Sequence, residues 1–329
     1  CCMIYLLITI FFFFFSAVTF LLLQKTRNTS IINIEQTTLH NTTTPEKVKA
    51  FYNQYNDKFL EVYGDVIQAF RTTDVSKLLD YEIASMELKP GMYVCDAGCG
   101  VCGPALYFAE QCDVTVSAVT ISEVQLEEAK KRITEKGFNN KVNVHLGDYH
   151  QLPSLFAKDT FDVVYFLESF GHSNNHSKAI DAAWDVLKPG GTLYIKDLFR
   201  KIAVIEEHQQ KIDYEIGRIN DAYKYNVADL YKVLDAMRRK GFAICFVKTI
   251  DLKLEDFENL TISNDFQELT GIAKIENWEE YIFPVDFFEI KCYKPQHELQ
   301  YGLDKYFLQN MYWMQVHKKQ QNELDYGKL

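Results

Sequence analysis

The stretch YVCDAGCGVCGPALYF, Tyr93 to Phe108, holds two sets of residues that could do chemistry. Cys95, Cys99 and Cys102 have the C-x3-C-x2-C spacing of an iron–sulfur ligand set, which needs three thiolates converging from a flexible loop. Gly98, Gly100 and Gly103 have the spacing of a ligand-binding turn. The first permits a tight bend, the second a close backbone approach, and the third lets a helix pack on the strand. The glycine reading accounts for more residues. Cys95 falls inside an apolar strand pattern, one residue before Asp96, so its side chain points into a sheet face. The cysteines are expected to pack as small hydrophobes, with no metal. The spacing is also not the G-x-G-x-x-G that seats a dinucleotide pyrophosphate, which argues against a nicotinamide oxidoreductase. Asp96, at the strand end, would repel a pyrophosphate and suits an ammonium group.

A second chemical pair stands in FDVVYFLESFGH. Its apolar strand delivers Glu168 and His172 to the carboxyl edge of the sheet, where ligands bind in open α/β folds. A carboxylate there can stabilise developing positive charge, and a histidine can take a proton. A structural or cofactor-contact role for Glu168, and a surface or supporting role for His172, stand beside these readings.

The elements that must position these residues alternate. MYVCDAG reads as a strand ending in the glycine loop, with a helix from about Pro104. DVTVSAVTIS, VNVHLGD, FDVVYFLESF, TLYIKDLF, FAICFVKTIDL and VDFFEIKCY read as further strands. Helices are expected from Ser122, from about Ser177 to the stop signal LKPGG, and over about Val227 to Lys240. Ser122 and Gln125 form a Ser-x-x-Gln capping box. The segment between TLYIKDLF and Val227 reads as an insertion. Strands apolar on both faces, alternating with helices, predict a parallel sheet covered on both sides: an α/β, Rossmann-like doubly wound sheet of seven strands. Before it, Pro45–Phe70 and Val75–Met86 read as helices. Phe51, Tyr52, Tyr55, Phe59 and Tyr63 on the first are candidates for plain core or for the lining of an acceptor pocket.

The totals narrow the partners. A chain of 329 residues with 47% hydrophobic content can bury a sizeable core. Its formal net charge of −10 and the lack of a basic run argue against a nucleic-acid substrate. Eight cysteines, several in strand-like runs, indicate a reducing compartment rather than a disulfide scaffold. MIYLLITIFFFFFSAVTFLLL, Met3 to Leu23, is uncharged and long enough as a helix to cross a bilayer, with Lys25 and Arg27 after it. It is expected to be a membrane anchor with the rest of the chain on the cytoplasmic side; a cytoplasmic protein is the alternative.

CDAGCGVCGPALYFA resembles the first motif of class I S-adenosylmethionine-dependent methyltransferases. VTISEVQ, GDYHQLP, FDVVYFLESFGH and VLKPGGTLYIKD follow in that family's order, together covering about Lys89 to Asp197. The GV-x-GP turn, VTIS-x-x-Q and the Glu after the fourth strand are most similar to the sterol and isoprenoid C-methyltransferases. Cys102 stands where a third glycine is usual. The resemblance implies S-adenosylmethionine as cofactor, its methionine half held at Asp96, Gly98, Cys99 and Gly100. Thr120, Ile121 and Gln125 would lie at the ribose, and Asp148 and Tyr149 at the adenine. It implies methyl transfer to a small hydrophobic or lipid-like acceptor, such as an isoprenoid or sterol carbon, with Glu168 and His172 as catalytic candidates. An N-methyltransferase of a small amine or phosphobase, and a non-catalytic membrane-tethered interaction protein of the same fold, are the alternatives. The expected organisation is an anchor over 1–24, a linker over 25–45, a helical segment over 46–88, the methyltransferase domain over 89–293 and a tail over 294–329.

Overall fold

A computed structural model describes residues 43–70, 72, 74–252 and 282–296. The apolar run 3–23 and most of the 294–329 tail lie outside the described residues. Among the described residues no helix is long and apolar enough to cross a membrane.

Two helices lead. α1 is Pro45–Tyr63 and α2 is Val75–Met86. Thr44 caps α1 by accepting from the Lys47 amide, and Pro45 occupies its first turn, where a missing N–H costs nothing. The expected run to Phe70 ends early because Gly64 takes φ 66°, a left-handed exit that glycine supplies without strain. The remaining elements are β1 Tyr93–Ala97, α3 Gly103–Cys112, β2 Thr115–Thr120, α4 Glu123–Glu135, β3 Val142–Leu146, β4 Phe161–Leu167, α5 His176–Val186, β5 Leu187–Arg200, α6 Glu206–Tyr223, α7 Leu230–Lys240, β6 Ala243–Thr249 and β7 Val285–Tyr293.

The seven strands form one sheet in the order β3-β2-β1-β4-β5-β7-β6. The order reverses at β1 and β4, and there the carboxyl ends part to leave a crevice. The expectation of a wholly parallel sheet needs one correction: β7 runs antiparallel to both β5 and β6. An apolar strand buries its side chains equally well in either direction, so apolar content does not encode this. α6 also corrects the expected insertion. Its buried Ile212 and Ile216 lie one turn apart, and half-buried Ile219 and Tyr223 pack on the same cluster.

Two apolar clusters cover the sheet. One joins Cys95, Val164, Phe166 and Ile195 to α5 and α7 through Ala179, Ala183 and Met237. The other joins Val94, Val116, Val163 and Tyr194 to α2, α3 and α4 through Leu79, Phe108 and Ala129. This sandwich fixes the strand ends, and the functional residues hang from them.

Candidate functional site

At the carboxyl ends of β1, β2 and β4 lies a cavity of about 870 Å³, in part open to solvent. All the residues singled out in the sequence line it: Asp96, Gly98, Cys99, Gly100, Thr120, Ile121, Gln125, Asp148, Tyr149, Glu168 and His172.

The glycine loop forms one wall. The amides of Gly98 and Cys99 both donate to the Val119 carbonyl, at 2.9 and 3.0 Å, tying the loop to the end of β2. Gly98 has φ 101°, and a Cβ on it would lie 2.4 Å from Cβ of Ser169. Gly103 is required for a different reason: a Cβ there would lie 2.0 Å from the Asp65 carbonyl oxygen. The segment between α1 and α2 therefore rests directly on the start of α3. Cys102 also has a left-handed backbone, φ 66°, where the family resemblance places a glycine.

Asp96 is 2% exposed, and burial pushes its carboxyl up to about 8. Its Oδ2 has no hydrogen-bond partner among the described residues; the Tyr165 hydroxyl lies beside it without hydrogen-bond geometry. Gln125 Nε2, also buried, has no partner either. Unsatisfied buried polar atoms are costly, and two on one cavity wall mark where a ligand would complete the bonding. An acid for a cation and an amide N–H for an oxygen fit a nucleoside that carries an ammonium group.

The Ser122 hydroxyl accepts from the Gln125 amide at 3.1 Å and so caps α4 as expected. The capping box itself is only half made. The Gln125 side chain does not turn back to the Ser122 amide; its Oε1 accepts from the Thr120 hydroxyl at 3.1 Å, which leaves Nε2 facing the cavity. α1 docks here through Asn53, whose Oδ1 accepts from the Ser122 hydroxyl at 2.6 Å.

Past β3, Asp148 accepts from the amide and from Nδ1 of His150, at 2.9 and 2.5 Å. Burial alone would raise the Asp148 carboxyl, but these bonds hold it below the usual range. His150 Nε2 accepts from the Ser173 hydroxyl at 2.7 Å. His150 was missed by sequence reasoning; the Asp-x-His spacing inside GDYHQLP is the signal that could have found it. Tyr149 donates to the Ser169 carbonyl at 3.2 Å and stacks edge-on against Phe166.

The opposite wall comes from α1 and the end of β4. His172 is buried, and burial pushes its imidazole down to about 4. Its Nδ1–H donates to the Lys224 carbonyl at 3.2 Å, leaving Nε2 to accept the Tyr52 hydroxyl at 2.8 Å. Tyr52 is the member of the α1 aromatic set that reaches the cavity; Phe51, Phe59 and Tyr63 form a separate cluster with it. Glu168 lies at the cavity wall with φ 55°. Its Oε2 accepts from the Ala69 amide at 2.5 Å. Its Oε1 accepts from the Phe70 amide at 3.1 Å and from Lys196 Nζ at 2.7 Å. Ser169, also missed by sequence reasoning, ties the turn after β4 to β1 by donating to the Ala97 carbonyl at 2.6 Å.

The three cysteines of the loop do not converge. Cys95 belongs to the cluster on one face of the sheet, while Cys99 and Cys102 belong to the cluster on the other. Burial pushes the thiols of Cys95 and Cys99 well up, the reverse of what a thiolate ligand needs.

Comparison with known proteins agrees with this geometry. Residues 95–195 match the methyltransferase domain family. The chain is 28% identical over 162 residues to methyltransferase GfsG of Streptomyces halstedii, a match covering 46% of this chain and 58% of that protein. It is 28% identical over 171 residues to sterol 24-C-methyltransferase ERG6B of Gibberella zeae, covering 50% and 43% respectively. The chain thus spans about half the length of these curated relatives. Among solved structures, the [4+2]-cyclase SpnF superposes with a TM-score of 0.62 at 19% identity, over 78% of this chain and 98% of that one. That likeness shows the fold, and its name shows that the fold alone does not fix the chemistry. With the domain match, the motif order and the seven-stranded sheet together, this chain carries a class I S-adenosylmethionine-dependent methyltransferase domain.

Proposed function

We propose that the chain transfers a methyl group from S-adenosylmethionine to a small hydrophobic or lipid-like acceptor, an isoprenoid or sterol carbon being the favoured class. The observation that carries the reading is the pair of buried atoms left without partners, Asp96 Oδ2 and Gln125 Nε2, on the wall of a cavity at the sheet's switch point. Asp96 would hold the ammonium group, with the Gly98–Gly100 backbone against the methionine half. Gln125 would donate to a ribose oxygen beside Thr120 and Ile121, and Asp148 and Tyr149 would meet the adenine. When bound, the cofactor supplies an electrophilic methyl on a sulfonium that leaves as a neutral thioether.

The chain's own part is to place the acceptor in line and exclude water. Methylation of an alkene carbon leaves a carbocation that must shed a proton. His172, neutral at physiological pH and sharing its Nε2 with the Tyr52 hydroxyl, is placed to take that proton. The tyrosine face can stabilise the cation meanwhile. The likeness to a sterol C-methyltransferase supports carbon as the target. The Met3–Leu23 run, as an anchor, would set the site near lipid acceptors.

The test is calorimetry of the purified chain with S-adenosylmethionine, then incubation with methyl-labelled cofactor and a lipid extract. Binding with label in the organic phase is expected. No heat at millimolar ligand would favour a non-catalytic partner, and label confined to water-soluble amines would favour the amine reading.

A further inference from the structure

The connection between α1 and α2 forms part of the cavity roof: Asp65, Ile67 and Gln68 all line it. It touches the glycine loop at two points, the Asp65 carbonyl over Gly103 and the Ile67 side chain toward Gly100. Within the segment, the Gln68 amide reaches only back to the Val66 carbonyl at 3.1 Å. What fastens it to the sheet is a buried cluster. The Ala69 and Phe70 amides end on the Glu168 carboxylate. Lys196 Nζ, on β5, reaches Glu168 at 2.7 Å, Glu82 of α2 at 3.3 Å and the Gln68 side-chain oxygen, and lies 5.7 Å from the Phe70 ring. Lys196 and Glu82 are fully buried, and the Glu168 side chain is 3% exposed.

We infer that Lys196 and Glu168 are positioning residues for the cofactor: together they hold segment 65–70 down on the glycine loop, closing the cavity over its ligand. This rests on the reading of the cavity as an S-adenosylmethionine site. Three features support it. Both carboxylate oxygens of Glu168 already accept hydrogen bonds from this segment, so the group is spent on holding backbone rather than turned to an acceptor. Glu168 sits in a left-handed backbone that costs a non-glycine residue energy, and its side chain turns back to the segment. Two acids share a single buried cation. Burial raises Glu82 to about 7, whereas the two carboxylates hold Lys196 above the usual lysine range despite its burial. Removing the cation would leave the acids facing each other, and segment 65–70 would lose its anchor.

The experiment uses the full chain and three variants: Glu168→Gln, Lys196→Met, and the double variant, which replaces the ion pair with a neutral pair of similar shape. Amide exchange at Ala69 and Phe70 is followed without ligand; cofactor Kd and kcat are then measured separately. In each single variant, exchange at both amides should quicken and Kd should rise by at least about tenfold. kcat at saturating cofactor should fall by less than Kd rises, and the double variant should recover much of the Kd. Unchanged exchange and Kd in Glu168→Gln, with kcat lost, would overturn the inference and make the carboxylate a catalytic group. If Lys196→Met fails to fold, Glu168→Gln and the double variant still decide. Should the wild type bind no cofactor while exchange quickens in the variants, the cofactor reading falls and the clasp stands.

Discussion

Asp96 and Gln125 at one end of the cavity, and Tyr52, His172 and Glu168 at the other, are all buried or nearly so, yet their polar atoms meet different things. At the first end two atoms face open space with no partner among the described residues. At the second, each group is already bonded: Tyr52 to His172, His172 to the Lys224 carbonyl, Glu168 to two amides and a lysine. A surface with open valences gains most from a polar ligand. One that is satisfied internally is better suited to an apolar acceptor, which asks for no hydrogen bonds and leaves none broken.

If the two ends divide binding from chemistry, substitutions at each should separate the constants. His172→Ala should lower turnover by about two orders of magnitude, the range typical of a lost proton acceptor, with cofactor Kd little changed. Steady-state kinetics beside calorimetry would break the contrast if both constants moved together. Asp96→Ala should raise the cofactor Kd about 100-fold, as loss of a charge-assisted bond in a buried site requires. An unaltered Kd would remove Asp96 from the binding end. Gly103→Ala must push the Asp65 carbonyl away, an overpacking cost of about 1–3 kcal/mol. A thermal melt should show it as a drop of several degrees, with Kd weakened as well, because segment 65–70 roofs the cavity.

The smallest effect is a proton count. Burial holds Asp96 near 8 in the ligand-free chain, above its ordinary 3.8. The folded chain thus grips this proton more tightly than the unfolded one. The resulting stability is complete below the ordinary pKa and is lost as pH rises through about 8. A cation settling against the carboxyl needs the ionised form, so at pH 7 binding should release up to about one proton. Calorimetry in buffers of different ionisation enthalpy reads this directly, and no buffer dependence would contradict the assignment.

The binding end was legible in the sequence because it is local. One strand, one loop and one helix start carry Asp96 to Gly103, and Thr120 to Gln125 repeats the pattern one strand over. The other end is assembled from distant pieces: Tyr52 on α1, His172 after β4, the Lys224 carbonyl after α6, and Lys196 on β5. No spacing rule joins them. Glu168 shows the limit. Its place at the end of an apolar strand could be read, but the direction of its carboxylate depends on a connection about a hundred residues earlier in the chain. For the fold, strand number and helix positions followed from periodicity, whereas the direction of β7 depended on pairing that apolar content does not encode.

The place of β7 has a consequence for how the molecule is made. β5 and β6 both leave a row of backbone donors and acceptors open toward the slot that β7 fills, and β7 is the last strand of the sheet to be synthesised. On the ribosome, the portion carrying the glycine loop can collapse early through neighbouring strands. β6, which has no other strand partner, must wait with an unpaired edge. That interval is when the nascent chain is most exposed to edge-to-edge aggregation, and chaperone capture there should end once residue 293 clears the exit tunnel.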